Sequence, residues 1–285
     1  HYPLRRQRQM CIRDRMYIVM DGFDLGIGMV FSFVPNANER DVMMNSVAPV
    51  WDGNETWLVL GGAGLFGAFP LAYAVIADAL TIPLTAMLIG LIFRGVAFEF
   101  RFKATPSHQK FWDYSFVGGS LLATFSQGIV VGAVISGFDV ADRRFIGSAL
   151  DWLTPFSLFC GLGLVVAYTL LGTTWLIMKS EGALQQRMRE LTRRTLLALL
   201  AVIAVVSVWT PLGWHSVAER WFTLPNFYWF VPVPILVLVF SLWIWRLSAN
   251  PNSHARPFLL TLGLIFLGFS GLGISLWPNI IPPHI

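Results

Sequence analysis

The sequence predicts an all-α integral membrane protein, and three observations carry that prediction. Of 285 residues, 55% are hydrophobic and only 13% are charged, about half the charged share of a soluble domain. Apolar runs near twenty residues recur along the chain, the length at which a helix crosses the hydrocarbon core of a bilayer. The 23 Phe and 12 Trp suit lipid-facing surfaces and interfacial belts. The net charge of +4 sits in loops, as membrane orientation requires, and not in a stripe that would bind nucleic acid. Cys11 and Cys160 have neither the spacing of a disulfide framework nor that of a thiolate metal site.

Residues 1–15 crowd Arg5, Arg6, Arg8, Arg13 and Arg15 into a stretch with little apolar content. They read as a non-native basic head ahead of a polytopic membrane domain over 16–285; a basic anchor on the membrane surface is the other reading. From Met16 onward about eight apolar segments of spanning or near-spanning length follow. They are Met16–Val34, Trp57–Ala77, Ala79–Phe100, Phe116–Ile135, Thr154–Met178, Thr195–Thr210, Phe227–Trp245 and Phe258–Leu276. Each must be helical, because the bilayer interior offers no partner for an unpaired backbone group. Gly-rich faces at 61–64 and 161–163 predict close helix packing.

The loops set the orientation. Arg101, Lys103 and Lys110 fall in loop three, Lys179, Arg187, Arg189, Arg193 and Arg194 in loop five, and Arg246 and Arg256 in loop seven. The even loops carry Asp78, the group from Asp139 to Asp151, and Glu219 with Arg220. Odd loops are therefore expected in the cytoplasm and the native N-terminus outside. The proline-broken stretch from Ser275 to Ile285 reads as an outer loop leading onward, so the chain is expected to be clipped at both ends.

The polar residues that could carry chemistry are few. Asn45 to Trp57 holds Asp52, Asn54 and Glu55 between Trp51 and Trp57 at the mouth of an apolar segment. In a helix Asp52 and Glu55 share a face; a surface loop with Asp52 or Asn54 as N-cap is the plainer reading. Asp21 and Asp24 lie inside the first span at i, i+3 spacing, and a carboxylate in the bilayer marks a polar path by default. One of them capping a broken helix is the structural alternative. Arg94 lies near the inner end of the third span, placed either to pair with Asp21, Asp24 or Asp52 or to snorkel to the headgroups. Glu99 is five residues on, about 140° round the helix, so it should have a different partner. Ser126 and Gln127, near mid-span, are explained by an interhelical hydrogen bond.

Histidine is informative by position. His108, His215 and His254 fall in expected loops and His1 and His284 near the ends, so no span supplies a haem-ligating His. There is also no Walker sequence, dinucleotide fingerprint or metal-ligand cluster.

At this point the motifs resemble a known family. Asp21-Gly22-Phe23-Asp24-Leu25-Gly26, Asn45-Ser46 with Pro49-Val50-Trp51-Asp52-Gly53-Asn54-Glu55, and Phe93-Arg94 through Phe98-Glu99-Phe100-Arg101 are similar to subunit II of cytochrome bd-type quinol oxidases. Arg94 to Arg101 together with Phe125-Ser126-Gln127-Gly128 looks most like the cyanide-insensitive branch. The resemblance implies two four-helix bundles, here 16–135 and 154–276, with one further helix missing. It implies a heterodimer with a haem-bearing subunit I in the bacterial cytoplasmic membrane, and leaves room for a small accessory subunit. Haems of b and d type and the quinol site would belong to the partner, none to this chain alone, while a structural quinone or lipid would bind within this subunit. It further implies that Asp52 lies on the route by which protons arrive from the cytoplasm, with Asp24, Asp21, Glu99, Arg94, Asn54 and Glu55 in the same polar cluster. A secondary transporter or channel with an intramembrane carboxylate–arginine site, or a scaffold with merely structural carboxylates, are the competing classes. Charges gathered towards one face, and not at the midplane, speak against the transporter.

Overall fold

A computed structural model describes residues 20–141, 144–224, 228 and 231–276. The basic head, Asp142 with Arg143, and the tail from 277 onward lie outside the described residues. Helix α1 covers residues 20–30 and passes into a 3-10 turn at Phe31–Phe33. There follow α2 (Ala37–Val47), α3 (Trp51–Ala68), α4 (Pro70–Ala79), α5 (Thr81–Arg101) and α6 (Pro106–Ser136). A two-residue antiparallel ladder, β1 (Val140–Ala141) with β2 (Arg144–Phe145), precedes α7 (Pro155–Lys179) and α8 (Gly182–Gly213). The short α9 (His215–Phe222), α10 (Pro232–Ala249) and α11 (Arg256–Leu276) complete the order.

Local chemistry fixes most of these boundaries. Asn36 caps α2 by accepting the Asn38 amide. Pro106 and Pro155 open α6 and α7 in the first turn, where a missing N–H costs nothing. Thr154 and Ser157 close a reciprocal capping box on α7. Gly137, at φ 81°, ends α6 in a backbone conformation that side chains avoid.

The described parts of the eight apolar segments fall largely on helices, and several differ in extent. The expected single span over Trp57–Ala77 is two helices, because Pro70 cannot continue α3 and Phe69 leaves the helical region at φ −141° and ψ 65°. Helices α6 and α8 begin well before their apolar segments, since their polar first turns need no lipid. Among the described residues five helices are long and apolar enough to cross a membrane: α5, α6, α7, α8 and α10. Helix α4 and residues 256–272 of α11 are shorter apolar helices.

The core joins α1 to α5, α6 and α7, and α7 to α8 and α11. Two close backbone approaches set the site. A methyl group at Gly26 would overlap the Tyr168 carbonyl oxygen, so only glycine lets α1 lie directly on α7. A methyl at Gly119 would stand 2.5 Å from the Gly90 carbonyl oxygen and 2.8 Å from the Arg94 nitrogen, so α6 presses against α5 at the turn that carries Arg94. Of the two Gly-rich faces, Gly161 packs against Phe125, whereas Gly62 faces open space.

Candidate functional site

Helix α1 places Asp21 and Asp24 one turn apart on the face turned to α5, and both are fully buried. Arg94 of α5 is equally buried and meets both. Its Nη1 donates to Asp21 Oδ1 at 3.0 Å, and its Nη2 stands 3.9 Å from Asp24 Oδ2. Glu55 Oε1, from the first turns of α3, lies 3.6 Å from the same Nη1. Asn54 Nδ2 donates to Asp24 Oδ2 at 2.7 Å. One guanidinium on α5 thus faces three carboxylates drawn from α1 and α3, and a carboxamide of α3 is bonded to one of them.

Aromatic rings roof this cluster. The Arg94 guanidinium lies 5.9 Å from the Phe98 ring centroid. Phe98 stacks on Trp51 at 5.0 Å and 11°, and meets Phe116 edge-on. Trp51 also rests against Gly95. Within the cluster Asp21 Oδ2, Asp24 Oδ1, Glu55 Oε1, Arg94 Nε and Arg94 Nη2 are buried without a hydrogen-bond partner among the described residues. Native interiors leave few such atoms, and buried water commonly serves them.

Two predicted members stand elsewhere. Asp52 is exposed on the first turn of α3 and forms no ion pair among the described residues. Helix phase explains this, because Asn54 faces inward and a residue two positions away points about 200° round the helix. The N-cap position is Val50 and carries no side-chain cap, so neither Asp52 nor Asn54 caps α3. Glu99 is exposed and pairs with Lys103 one turn on, at 3.5 Å. Its expected separation from the Arg94 partners is what the helix delivers.

Sequence reasoning missed two groups. Tyr168 of α7 is 1% exposed and lays its ring against Gly22, beside Asp21; its hydroxyl is buried without a hydrogen-bond partner among the described residues. A buried tyrosine in an apolar run looks like any packing aromatic from sequence. The second group is an ion-pair network at the ends of α5 and α6. Arg101, 1% exposed, meets Asp41 and Asp113 at 2.5 Å each. Asp113 also takes Arg40 Nη1 at 2.9 Å, while Arg40 Nε donates to the Val34 carbonyl. Both guanidiniums lie 5.3 Å from the Phe31 ring centroid. The network pins α2, and through it the approach to α3, onto α5 and α6.

Among the described residues, no three His, Cys, Asp or Glu side chains converge as a metal site. His108 is exposed, within hydrogen-bonding distance of Thr105 and Ser107, and His254 is exposed beside Gln185. The side chain of His215 lies outside the described residues.

The model of the cytochrome bd terminal oxidase subunit II family matches residues 12–285. Cytochrome bd-I ubiquinol oxidase subunit 2 of Escherichia coli K12 is 30% identical over 301 residues, covering 93% of this chain and 78% of the relative. Cytochrome bd ubiquinol oxidase subunit 2 of Bacillus subtilis 168 is 32% identical over 196 residues, covering 67% of this chain and 58% of the relative. The fold is that of a chain of the bd oxidase from Geobacillus thermodenitrificans, with a TM-score of 0.78 at 18% identity, over 99% of this chain and 86% of that one. By the family model and these relatives, the chain belongs to the cytochrome bd terminal oxidase subunit II family.

Proposed function

We propose that this chain is the accessory subunit of a bd-type quinol oxidase and that its buried cluster handles protons bound for oxygen reduction. The observation that carries the reading is the convergence of Asp21, Asp24 and Glu55 on Arg94, with Asn54 hydrogen-bonded to Asp24. Three acid groups around one cation form a place where a proton can be taken up without creating a net positive charge. Reducing oxygen to water consumes protons, and a reaction centre inside a bilayer needs a polar route from water to reach them. Asp52, exposed one turn ahead of Glu55, would be the outermost carboxylate of that route. Tyr168 and the orphan atoms of the cluster would hold bridging water further in.

The described side chains His108 and His254 are exposed, and b- and d-type haems and the quinol site are assigned to a partner subunit I. A bacterial inner-membrane location with the basic loops in the cytoplasm completes the reading, and the Arg94–Arg101 segment favours the cyanide-insensitive subtype. The transporter and channel alternatives gain nothing from the family match.

The test is Asp24→Asn in the assembled oxidase. The amide keeps the shape and a hydrogen bond to Asn54 but cannot ionise. Quinol-driven oxygen consumption should fall by ~10-fold or more, the lower scale for losing a proton-transfer group, while the haem spectrum and subunit stoichiometry stay normal. Full turnover in an intact Asp24→Asn complex would reduce the cluster to a structural ion pair.

A further inference from the structure

The basic end of α8 and α10 holds charges that the protein does not neutralise. Arg194 pairs with Glu190. Arg189 is 9% exposed and donates to the carbonyls of Asn250, Pro251 and Ser253 at 2.8–3.1 Å, tying α8 to the turn between α10 and α11. Arg193, one turn after Arg189, does neither. Its guanidinium lies 5.1 Å from the Trp245 ring centroid, and its Nε is buried without a hydrogen-bond partner among the described residues. Arg246, next to Trp245, is exposed and forms no ion pair among the described residues.

Apolar surface continues from this point into the bilayer on both helices. On α8 the exposed positions Leu197, Ala201 and Ala204 succeed Arg193 at intervals of three and four residues, one stripe of the helix. On α10, which runs the opposite way, Trp245, Leu242 and Leu238 make the matching stripe, all exposed. Leu196 and Leu199 of α8 and Ser241 and Ile244 of α10 are buried, and the two helices are in contact. From Arg193 to Ala204 is about 16 Å of helix, close to the roughly 15 Å of one leaflet.

We propose that this seam is a binding site for an anionic phospholipid. Its phosphate accepts hydrogen bonds from the two Nη groups of Arg193, with Arg246 adding charge and Trp245 holding the guanidinium in plane. Its acyl chains lie along the Leu197 and Leu242 stripes. Arginine's planar fork matches phosphate oxygens bidentately, and a basic pocket between spanning helices is where anionic headgroups are held. The lipid, and not free phosphate, is the ligand because the charged end opens directly onto exposed apolar stripes of leaflet length.

The experiment uses the delipidated oxidase complex in neutral detergent, with phosphatidylglycerol, phosphatidylcholine or inorganic phosphate added, read by native mass spectrometry and thermal unfolding. Wild type should retain phosphatidylglycerol and unfold several degrees higher with it than with phosphatidylcholine or phosphate. Arg193→Gln should weaken phosphatidylglycerol retention by ~10-fold, the usual scale of one charge-assisted contact, and lose most of the thermal gain. Arg193→Lys should recover part of it, and Arg194→Gln should behave as wild type. Each variant is compared at an unchanged haem spectrum. Equal retention by wild type and Arg193→Gln would overturn the site. A gain reproduced by inorganic phosphate would overturn the lipid assignment, and failure of a photoactivatable phosphatidylglycerol to label α8 or α10 would do the same.

Discussion

At the residue scale, phase decides which polar side chains meet. Asn54 and Asp52 are two positions apart on α3, so the turn that brings Asn54 onto Asp24 carries Asp52 to the exposed side. That position makes the two carboxylates separable by experiment. Asp52 touches water first and is not locked by Arg94, so Asp52→Glu should keep part of the turnover with its acid group at longer reach. Asp52→Asn should cost more than Asp52→Glu and less than Asp24→Asn, at unchanged haem content. Steady-state oxygen consumption of the three complexes checks the order, and Asp52→Asn at full rate would remove Asp52 from the route. The sequence made Asp21, Asp24 and Arg94 legible because ionisable groups are so rare inside apolar spans. It also offered Asn54 and Glu55 as neighbours of a tryptophan-framed carboxylate. Glu99 could be separated from Arg94 by counting round the helix, but its Lys103 partner required knowing that α5 runs on to Arg101.

At the element scale, the site exists because helices approach closely at particular glycines. Gly118 and Gly119 are sequence neighbours on α6 with opposite surroundings. A methyl at Gly118 meets nothing within 4 Å, while one at Gly119 strikes the backbone of Gly90 and Arg94. Gly118→Ala should therefore be neutral or stabilising by up to about 1 kcal/mol through helix propensity. Gly119→Ala should destabilise by about 1–3 kcal/mol through overpacking and should also lower turnover, since Arg94 rides on the displaced turn. Thermal unfolding of the complex, with activity measured alongside, distinguishes the pair; equal behaviour would mean that α5 and α6 yield at this crossing. Sequence patterning found the helices but not this distinction, because both glycines lie in the same apolar run. The break at Pro70 was readable in principle from proline chemistry, yet the continuous apolarity on either side hid it. The Arg40–Asp113–Arg101–Asp41 network was hidden for another reason. Its partners stand up to 73 residues apart in polar stretches where every charge looks like an ordinary solvated one.

At the scale of the whole molecule, the chain brings a buried polar cluster to an oxidase, and its described histidine side chains stand on the surface. Replacing His108 and His254 together by Ala should leave the reduced-minus-oxidised haem spectrum of the assembled complex unchanged. Both side chains are exposed and engaged with neighbours on the surface, where an axial bond to a buried iron is out of reach. A shifted or lost Soret band would place a haem against this chain.

The buried salt bridge also has a consequence in time. Asp21 and Arg94 are 73 residues apart, and a ribosome adding about 5–20 residues per second needs roughly 4–15 s to supply the second after the first. During that interval the two carboxylates of α1 lack their Arg94 partner. A segment so charged is expected to linger beside the translocation channel or in the headgroup layer until the fifth helix emerges, so the first helix in the chain is among the later ones to settle in the membrane.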